Sequence, residues 1–392
     1  MDRTDDILIP PQTSWLTDPQ AQRVCALVED AGHRIYFVGG CVRDALLGWP
    51  SGDVDLSTDA HPERVMELAQ AAGLQAIPTG LAHGTVTVVS DGKPFEVTTF
   101  RRDVETDGRR AVVAFSDRIE DDARRRDFTM NALYADRAGR VIDPLGGLPD
   151  LLARRVVFIE DATARIREDY LRVLRYFRFH AWYADAQAGH DPDVLHAIAV
   201  NLEGLATLSA ERVGQEMRKL LAAPDPAGVL AVMRQSGVLG VILPGADDRF
   251  LGPFVHNEGL LMLSPEWLGR LAAIGGDDVA DRLRLSKAET MALEQIRASA
   301  FGTETLPAIA YRQGLQVARQ SLLLRQTFFD SPADPTQLEL LNAAAAATFP
   351  VRAADLMPAY QGPDLGRKLA ALEKSWIDSG FALTREDLLA ER

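Results

Sequence analysis

Cysteine is almost missing from the 392-residue sequence, which has only Cys25 and Cys41. Two cysteines exclude a disulfide framework and a multi-cysteine zinc site. Long apolar runs are missing too. The longest, such as Val238–Pro244, fall far short of the ~18 residues a membrane span needs. Met1–Pro10 carries acids and no apolar signal core, so the sequence predicts no secretion and a cytoplasmic protein. Positive charge is also short: the net charge is −14, which argues at first against a nucleic-acid partner, because phosphate contacts need Lys and Arg. The shortage is uneven. Arg101–Arg178 holds 17 Arg, no Lys and 15 acids, a net of +2, whereas the rest of the chain carries −16. That one segment is either a set of Arg-rich solvated helix faces or a place where phosphates are met.

What is present is the composition of a soluble globular protein, 47% hydrophobic and 25% charged, long enough for two or three domains. Arg34–Gly39 reads as a strand running into Gly39-Gly40, Cys41–Leu47 as a helix, and Asp53–Leu56 as a second strand. Pro62–Ala72 has helical spacing of Val65, Met66, Leu68 and Ala69. Thr85–Ser90 and Pro94–Phe100 are β-branched runs around Asp91-Gly92, the signature of a hairpin. Thr106–Arg110 reads as a polar loop and Ala111–Phe115 as a returning strand; breakers at Asp143–Gly147 end this region. Beyond it Ala162–Tyr183, Ala210–Ala222, Pro226–Ser236, Trp267–Ile274, Lys287–Phe301 and Glu339–Ala347 are helix-compatible, with a capping box at Ser286 and Glu289. The expected fold is α+β: a head with a mixed β-sheet and flanking helices over residues 1–148, an all-α neck over 149–225, and a helical body and tail over 226–392.

Four groups in this pattern bear chemistry. In a strand, Asp53 and Asp55 point to one face about 7 Å apart along the chain. They are either solvated acids or ligands for hard cations such as Mg²⁺. Gly39-Gly40, between a strand and a helix, is either a plain strand-to-helix turn followed by an Arg–Asp surface pair or a place where backbone N–H groups approach phosphates, with Arg43 placed to meet a triphosphate oxygen. Glu96 is either an edge-strand charge or a third metal ligand; His83 reads as structural. Arg124, Arg125 and Arg126 are either a solvated cationic patch or donors that neutralise a pyrophosphate leaving group. Asp127 either accepts from a ribose hydroxyl or caps a helix Phe128–Leu133.

Taken together, GGCVRDALLG (Gly39–Gly48), GDVDLST (Gly52–Thr58), TGLAHGTVTVV, FEVTTFR, RRDFTMNALY and DPLGGLPDL resemble, in order and spacing, the class II nucleotidyltransferases. These are the tRNA CCA-adding enzymes and bacterial poly(A) polymerases. The resemblance runs from about Ile35 to Leu221; beyond it the tail fits in general character only. It implies that Asp53 and Asp55 bind two Mg²⁺ ions, with Glu96 as third catalytic carboxylate. Gly39, Gly40 and Arg43 would hold the triphosphate, and Arg126 and Asp127 the nucleotide's phosphate and sugar. Arg101–Phe115 would be the flexible loop such enzymes use when switching nucleotides.

Ile166–Ala181 reads as one helix with Ile166, Tyr170, Val173, Leu174, Phe177 and Ala181 on a core face. Glu168, Asp169, Arg172 and Arg175 fall on another. Asp169 and Arg172, three apart, are neighbours, either as a surface ion pair or as a base reader. Cytosine and adenine both present an amino donor beside a ring-nitrogen acceptor. A carboxylate with a guanidinium matches that edge, and uracil reverses it. This agrees with the EDxxR motif of the resembled family, here Glu168 to Arg172; Arg175 is carried with them as nucleotide-binding. Ser209, Glu211 and Glu216 resemble the next motif, with Ser209 expected as a helix N-cap. The expected activity is Mg²⁺-dependent addition of C, C and A to the tRNA 3′ end from CTP and ATP. The tRNA is held by its 3′ end and acceptor arm. A poly(A) polymerase, a CC-only or A-only enzyme, and a non-catalytic RNA-binding protein are the alternatives. His190-Asp191 lacks the partners of a phosphohydrolase site and reads as loop.

Overall fold

The computed structural model describes residues 7–50, 52–107, 110–332 and 334–390. Two compact units are present: Met1–Leu208 with Ser236–Val238, and Ser209–Gln235 with Leu239–Arg392.

The first unit is built on nine strands: β1 (Ile35–Val38), β2 (Asp55–Thr58), β3 (Gln75–Gly80), β4 (Thr85–Ser90), β5 (Lys93–Thr99), β6 (Arg101–Asp107), β7 (Arg110–Phe115), β8 (Tyr134–Ala135) and β9 (Val141–Ile142). Seven form one mixed sheet in the order β3-β4-β5-β2-β1-β8-β9, and β6-β7 form a separate ribbon. Among the described residues of the large sheet, the β2–β5 pairing alone is parallel. Asp91 and Gly92 both have positive φ, 50° and 78°, the geometry of a type I′ turn between β4 and β5. In β2 the residues after Asp55 are buried, as a central strand with helices on its faces requires. The helices Pro19–Glu29 and Pro62–Ala71 pack on β4.

Several expectations need correction. The strand expected at Asp53–Leu56 starts at Asp55, because partners exist only from there: Val38 and Glu96 both pair with Asp55. Asp53 therefore precedes the strand. The strand expected at Ala111–Phe115 is present and begins at Arg110; the polar loop expected at Thr106–Arg110 is narrower, since Arg101–Asp107 is also a strand, with Arg101 paired to Phe115 and Asp107 to Arg110. Phe128–Leu133 forms only a 3₁₀ turn at Thr129–Asn131, since the Asp127 carboxylate takes the Phe128 N–H and the Asn131 amide. The neck helix is broken in two, Ala162–Glu168 and Leu171–Tyr183. Asp169 leaves the helical region (φ −155°, ψ 105°) and its carboxylate accepts the Leu171 N–H at 3.1 Å. A short polar side chain competing with the backbone in this way restarts the helix.

The second unit is helical. Trp267–Ile274 and Lys287–Phe301 form as expected. The Ser286–Glu289 box is closed in both directions, at 2.7 and 3.2 Å. Ser209 occupies the N-cap of Ala210–Leu221 but makes no capping side-chain bond, and Glu211 instead pairs with Arg284 at 3.3 Å. Arg270, 1% exposed, pairs with Glu258 at 2.8 Å and donates to the Leu221 and Pro224 carbonyls. Near the C-terminus Val351, Leu372, Trp376, Ile377 and Leu388 form a separate apolar cluster. Among the described residues no helix is long and apolar enough to cross a membrane.

Candidate active site

The site begins where β1 ends. Gly39 has φ +74°, a conformation costly for any residue with a Cβ, and it turns the chain into the helix Gly40–Leu46. A Cβ on Gly39 would stand 3.3 Å from Arg126 Nη1, so the turn and the cationic run meet here. Arg43, one turn into the helix, is buried and committed elsewhere. It donates to Asn131 Oδ1 at 2.6 Å, to the Tyr183 hydroxyl at 2.7 Å and to Asp44 at 2.8 Å. Its guanidinium lies 4.1 Å from the Tyr183 ring centroid.

Asp55 and Glu96 lie side by side across β2 and β5. Asp53, Asp55 and Glu96 are all exposed, yet protein crowds the Asp55 carboxyl. Burial pushes its pKa up, the Glu96 and Asp53 charges push the same way, and Arg126 opposes them. Three like charges so close favour a bound cation. Among the described residues no three Asp, Glu, His or Cys side chains already converge as a metal cage. One or two carboxylates are what a hard divalent cation takes when phosphate and water oxygens complete its shell.

Arg126 is fixed from behind. Its Nη2 pairs with Asp122 at 2.9 Å, and the Tyr134 hydroxyl donates to the same carboxylate oxygen at 2.8 Å. Arg124 is half exposed, with Asp121 and Glu160 each at 3.8 Å. Asp127 accepts from Phe128 N–H at 2.9 Å, from Asn131 Nδ2 at 2.8 Å and from Arg175 Nε at 2.6 Å. Burial alone would raise its pKa; the Arg175 charge and these hydrogen bonds outweigh it and hold the carboxyl below the ordinary range. A continuous polar chain thus runs Arg43–Asn131–Asp127–Arg175, from the glycine turn to the neck.

At the neck, Arg172 Nη1 pairs with Glu168 Oε2 at 2.5 Å and donates to the Arg165 carbonyl at 2.8 Å. The Arg172 N–H bonds the Asp169 carbonyl at 3.0 Å, so both residues remain in one turn despite the helix break. Sequence reasoning missed Asn131, Asp122, Tyr134, Arg165 and Tyr183. Asn131 and Tyr134 fall inside RRDFTMNALY, so the motif held them; Arg165 and Tyr183 act over distances in sequence that spacing does not reveal. His83 sits exposed on a 3₁₀ turn, and Asp191 caps the helix Pro192–Ala199.

Comparison with known proteins places this arrangement. Residues 35–157 match a family described as the poly A polymerase head domain, and residues 191–250 one described as a probable RNA and SrmB-binding site of polymerase A. The mitochondrial CCA tRNA nucleotidyltransferase 1 of Mus musculus is 33% identical, over 97% of this chain and 91% of the relative. A CCA-adding enzyme of Geobacillus thermodenitrificans is 34% identical, over 83% of this chain and 82% of its own. Among solved structures, the Bacillus stearothermophilus CCA-adding enzyme in complex with CTP superposes with a TM-score of 0.73 at 28% identity. That match covers 95% of this chain and 97% of the other. The chain belongs to the class II tRNA nucleotidyltransferase and poly(A) polymerase family.

Proposed function

We propose that this protein adds C, C and A to the 3′ end of tRNA from CTP and ATP, without a nucleic-acid template, releasing pyrophosphate. The observation that carries this reading is the set formed by Asp55, Glu96, the Gly39-Gly40 turn and Arg126, with Arg172 presented on the neck. In the reaction the tRNA 3′-oxygen forms a bond to the α-phosphorus. The bond from the α-phosphorus to the bridging oxygen breaks, and pyrophosphate leaves.

In this reading Asp53 and Asp55 hold divalent cations, Mg²⁺ by preference, with Glu96 as the third carboxylate. Such ions supply charge neutralisation at the transferring phosphoryl group and a lowered pKa for the attacking hydroxyl. The backbone amides at Gly39-Gly40 receive phosphate oxygens, and Arg126, already oriented by Asp122 and Tyr134, offers planar donors to the departing charge. Arg43 then acts mainly by holding the glycine turn and Asn131 in place, and reaches phosphate only if it leaves those partners. Asp127 and Arg175 border the sugar. Asp169 and Arg172 read the base edge: a carboxylate accepts from the amino group that C and A share, and a guanidinium donates to the ring nitrogen. Residues 1–148 serve as the catalytic head, 149–225 as the base-selecting neck, and 226–392 hold tRNA by its backbone and shape. In this reading the β6-β7 ribbon serves as the nucleotide switch, and the compartment we assign is the cytoplasm.

The test is incorporation of label into tRNA lacking its last three nucleotides, with one nucleotide supplied at a time. Label from CTP is expected to enter and label from UTP not; equal entry of both, or of neither, would overturn the reading.

A further inference from the structure

Beside the Arg175–Asp127 pair and a 3.3 Å contact of Arg172 Nη2 with the Arg125 carbonyl, a third side chain, which neither motif spacing nor family membership singles out, touches both ends of the nucleotide site. Arg165 is buried, with its side chain 6% exposed. Its Nη1 pairs with the Glu168 carboxylate. Its Nη2 donates to the backbone carbonyls of Arg125 at 2.7 Å and Arg126 at 2.5 Å. The Arg165 carbonyl accepts from Arg172 Nη1, which also pairs with the same oxygen of Glu168. One guanidinium therefore grips the segment that carries Arg126, beside the glycine turn, and the carboxylate that orients Arg172.

A planar fork can serve these separate acceptors at once, which a lysine ammonium on its flexible stem cannot do in the same geometry. Buried ion pairs are often no more stabilising than well-packed apolar groups of similar volume, so stability alone gives little reason for an arginine here. We propose that Arg165 is a positioning residue that couples the triphosphate end of the site to its base-reading end, so that a seated triphosphate sets Arg172 in its selective orientation. The proposal rests on Arg172 as the base selector.

Coupling of this kind is a reciprocal free energy between two part-ligands, ordinarily about 5–150-fold in affinity. It can be read in the unaltered protein. Inorganic triphosphate should raise the affinity for cytidine by roughly tenfold and leave uridine unchanged, by calorimetry with Mg²⁺ present. Arg165→Lys and Arg165→Gln should lower the melting temperature, since buried acceptors lose their donors, yet retain triphosphate binding below that temperature, while the cytidine enhancement disappears and the CTP-to-UTP affinity ratio falls by a similar factor. The outcomes are distinct. If the unaltered protein binds CTP and UTP equally, base selection at Arg172 fails and the proposal fails with it. If it selects CTP but shows no enhancement by triphosphate, or if Arg165→Lys keeps the enhancement, the coupling alone is wrong. A parallel loss of triphosphate, CTP and UTP binding by variants that circular dichroism shows to be folded would make Arg165 a purely structural residue and overturn the proposal.

Discussion

Asp55 and Glu96 stand directly opposite each other on the parallel pair of strands β2 and β5, with the Asp53 charge close enough to add to the strain on Asp55. Carboxylates so arranged repel one another, and the fold tolerates the repulsion because both are exposed to solvent. Asp55→Asn should therefore separate stability from activity. The melting temperature should hold or rise as one negative charge is removed, while turnover falls by on the order of 10²–10³. Initial rates and thermal melts on one preparation check this; a variant that keeps its activity removes Asp55 from the metal site.

The glycine turn makes a second prediction. Gly39→Ala puts a methyl group 3.3 Å from Arg126 Nη1 at φ +74°, a position where strain costs about 1–3 kcal/mol. Arg126 must give way, so the KM for CTP should rise along with a loss of stability. Gly48→Ala is the control. Its φ is also positive, at +73°, but nothing lies within 4 Å of the added Cβ, so it should lower the melting temperature without changing the KM.

Arg172→Ala should damage nucleotide choice more than RNA binding. Loss of one pairing partner is worth ~1–3 kcal/mol, so CTP-over-UTP selectivity in kcat/KM should fall by about 5–150-fold. The Kd for tRNA, followed by filter binding, should stay within about twofold. Equal losses in both would mean that Arg172 merely braces the neck through Glu168.

A pH prediction comes from the neck as well. His180 and His190 stack with ring centroids 3.7 Å apart. Burial, and then the nearby His180, holds the His190 pKa down to about 4, and burial lowers His180 too. In the unfolded chain both titrate near 6.5, so between these values the unfolded state binds more protons than the native one. Stability should therefore be lost as pH falls from about 6.5 toward about 4. His190→Phe, which retains a ring in the stack, should flatten that slope in melts taken across the window; an unchanged slope would assign the acid sensitivity to other groups.

The regular parts of this architecture were legible from local pattern. The β4–β5 hairpin follows from an Asp-Gly turn between β-branched runs, and Lys287–Phe301 from its capping box. The failures occur where a side chain or a remote partner outweighs local propensity. Asp169 breaks a helix that periodicity makes continuous, because its carboxylate captures the Leu171 N–H. Asp53 falls outside its strand, since the ladder partners begin at Asp55. Of the site, the acids, glycines and arginines were recognisable as types in order. What they bind to one another was not: Arg43 turning to Asn131 and Tyr183, and Arg172 held by Glu168, depend on contacts across up to 140 positions.

The central claim is the identity and number of nucleotides added, and gel analysis of tRNA lacking its last three nucleotides reads both directly. With Mg²⁺, CTP alone should extend the tRNA by two, ATP alone should add nothing, and both together should add three and stop. A long ladder with ATP alone would make the protein a poly(A) polymerase, and no extension with any nucleotide would make it an RNA-binding protein, either of which contradicts the account.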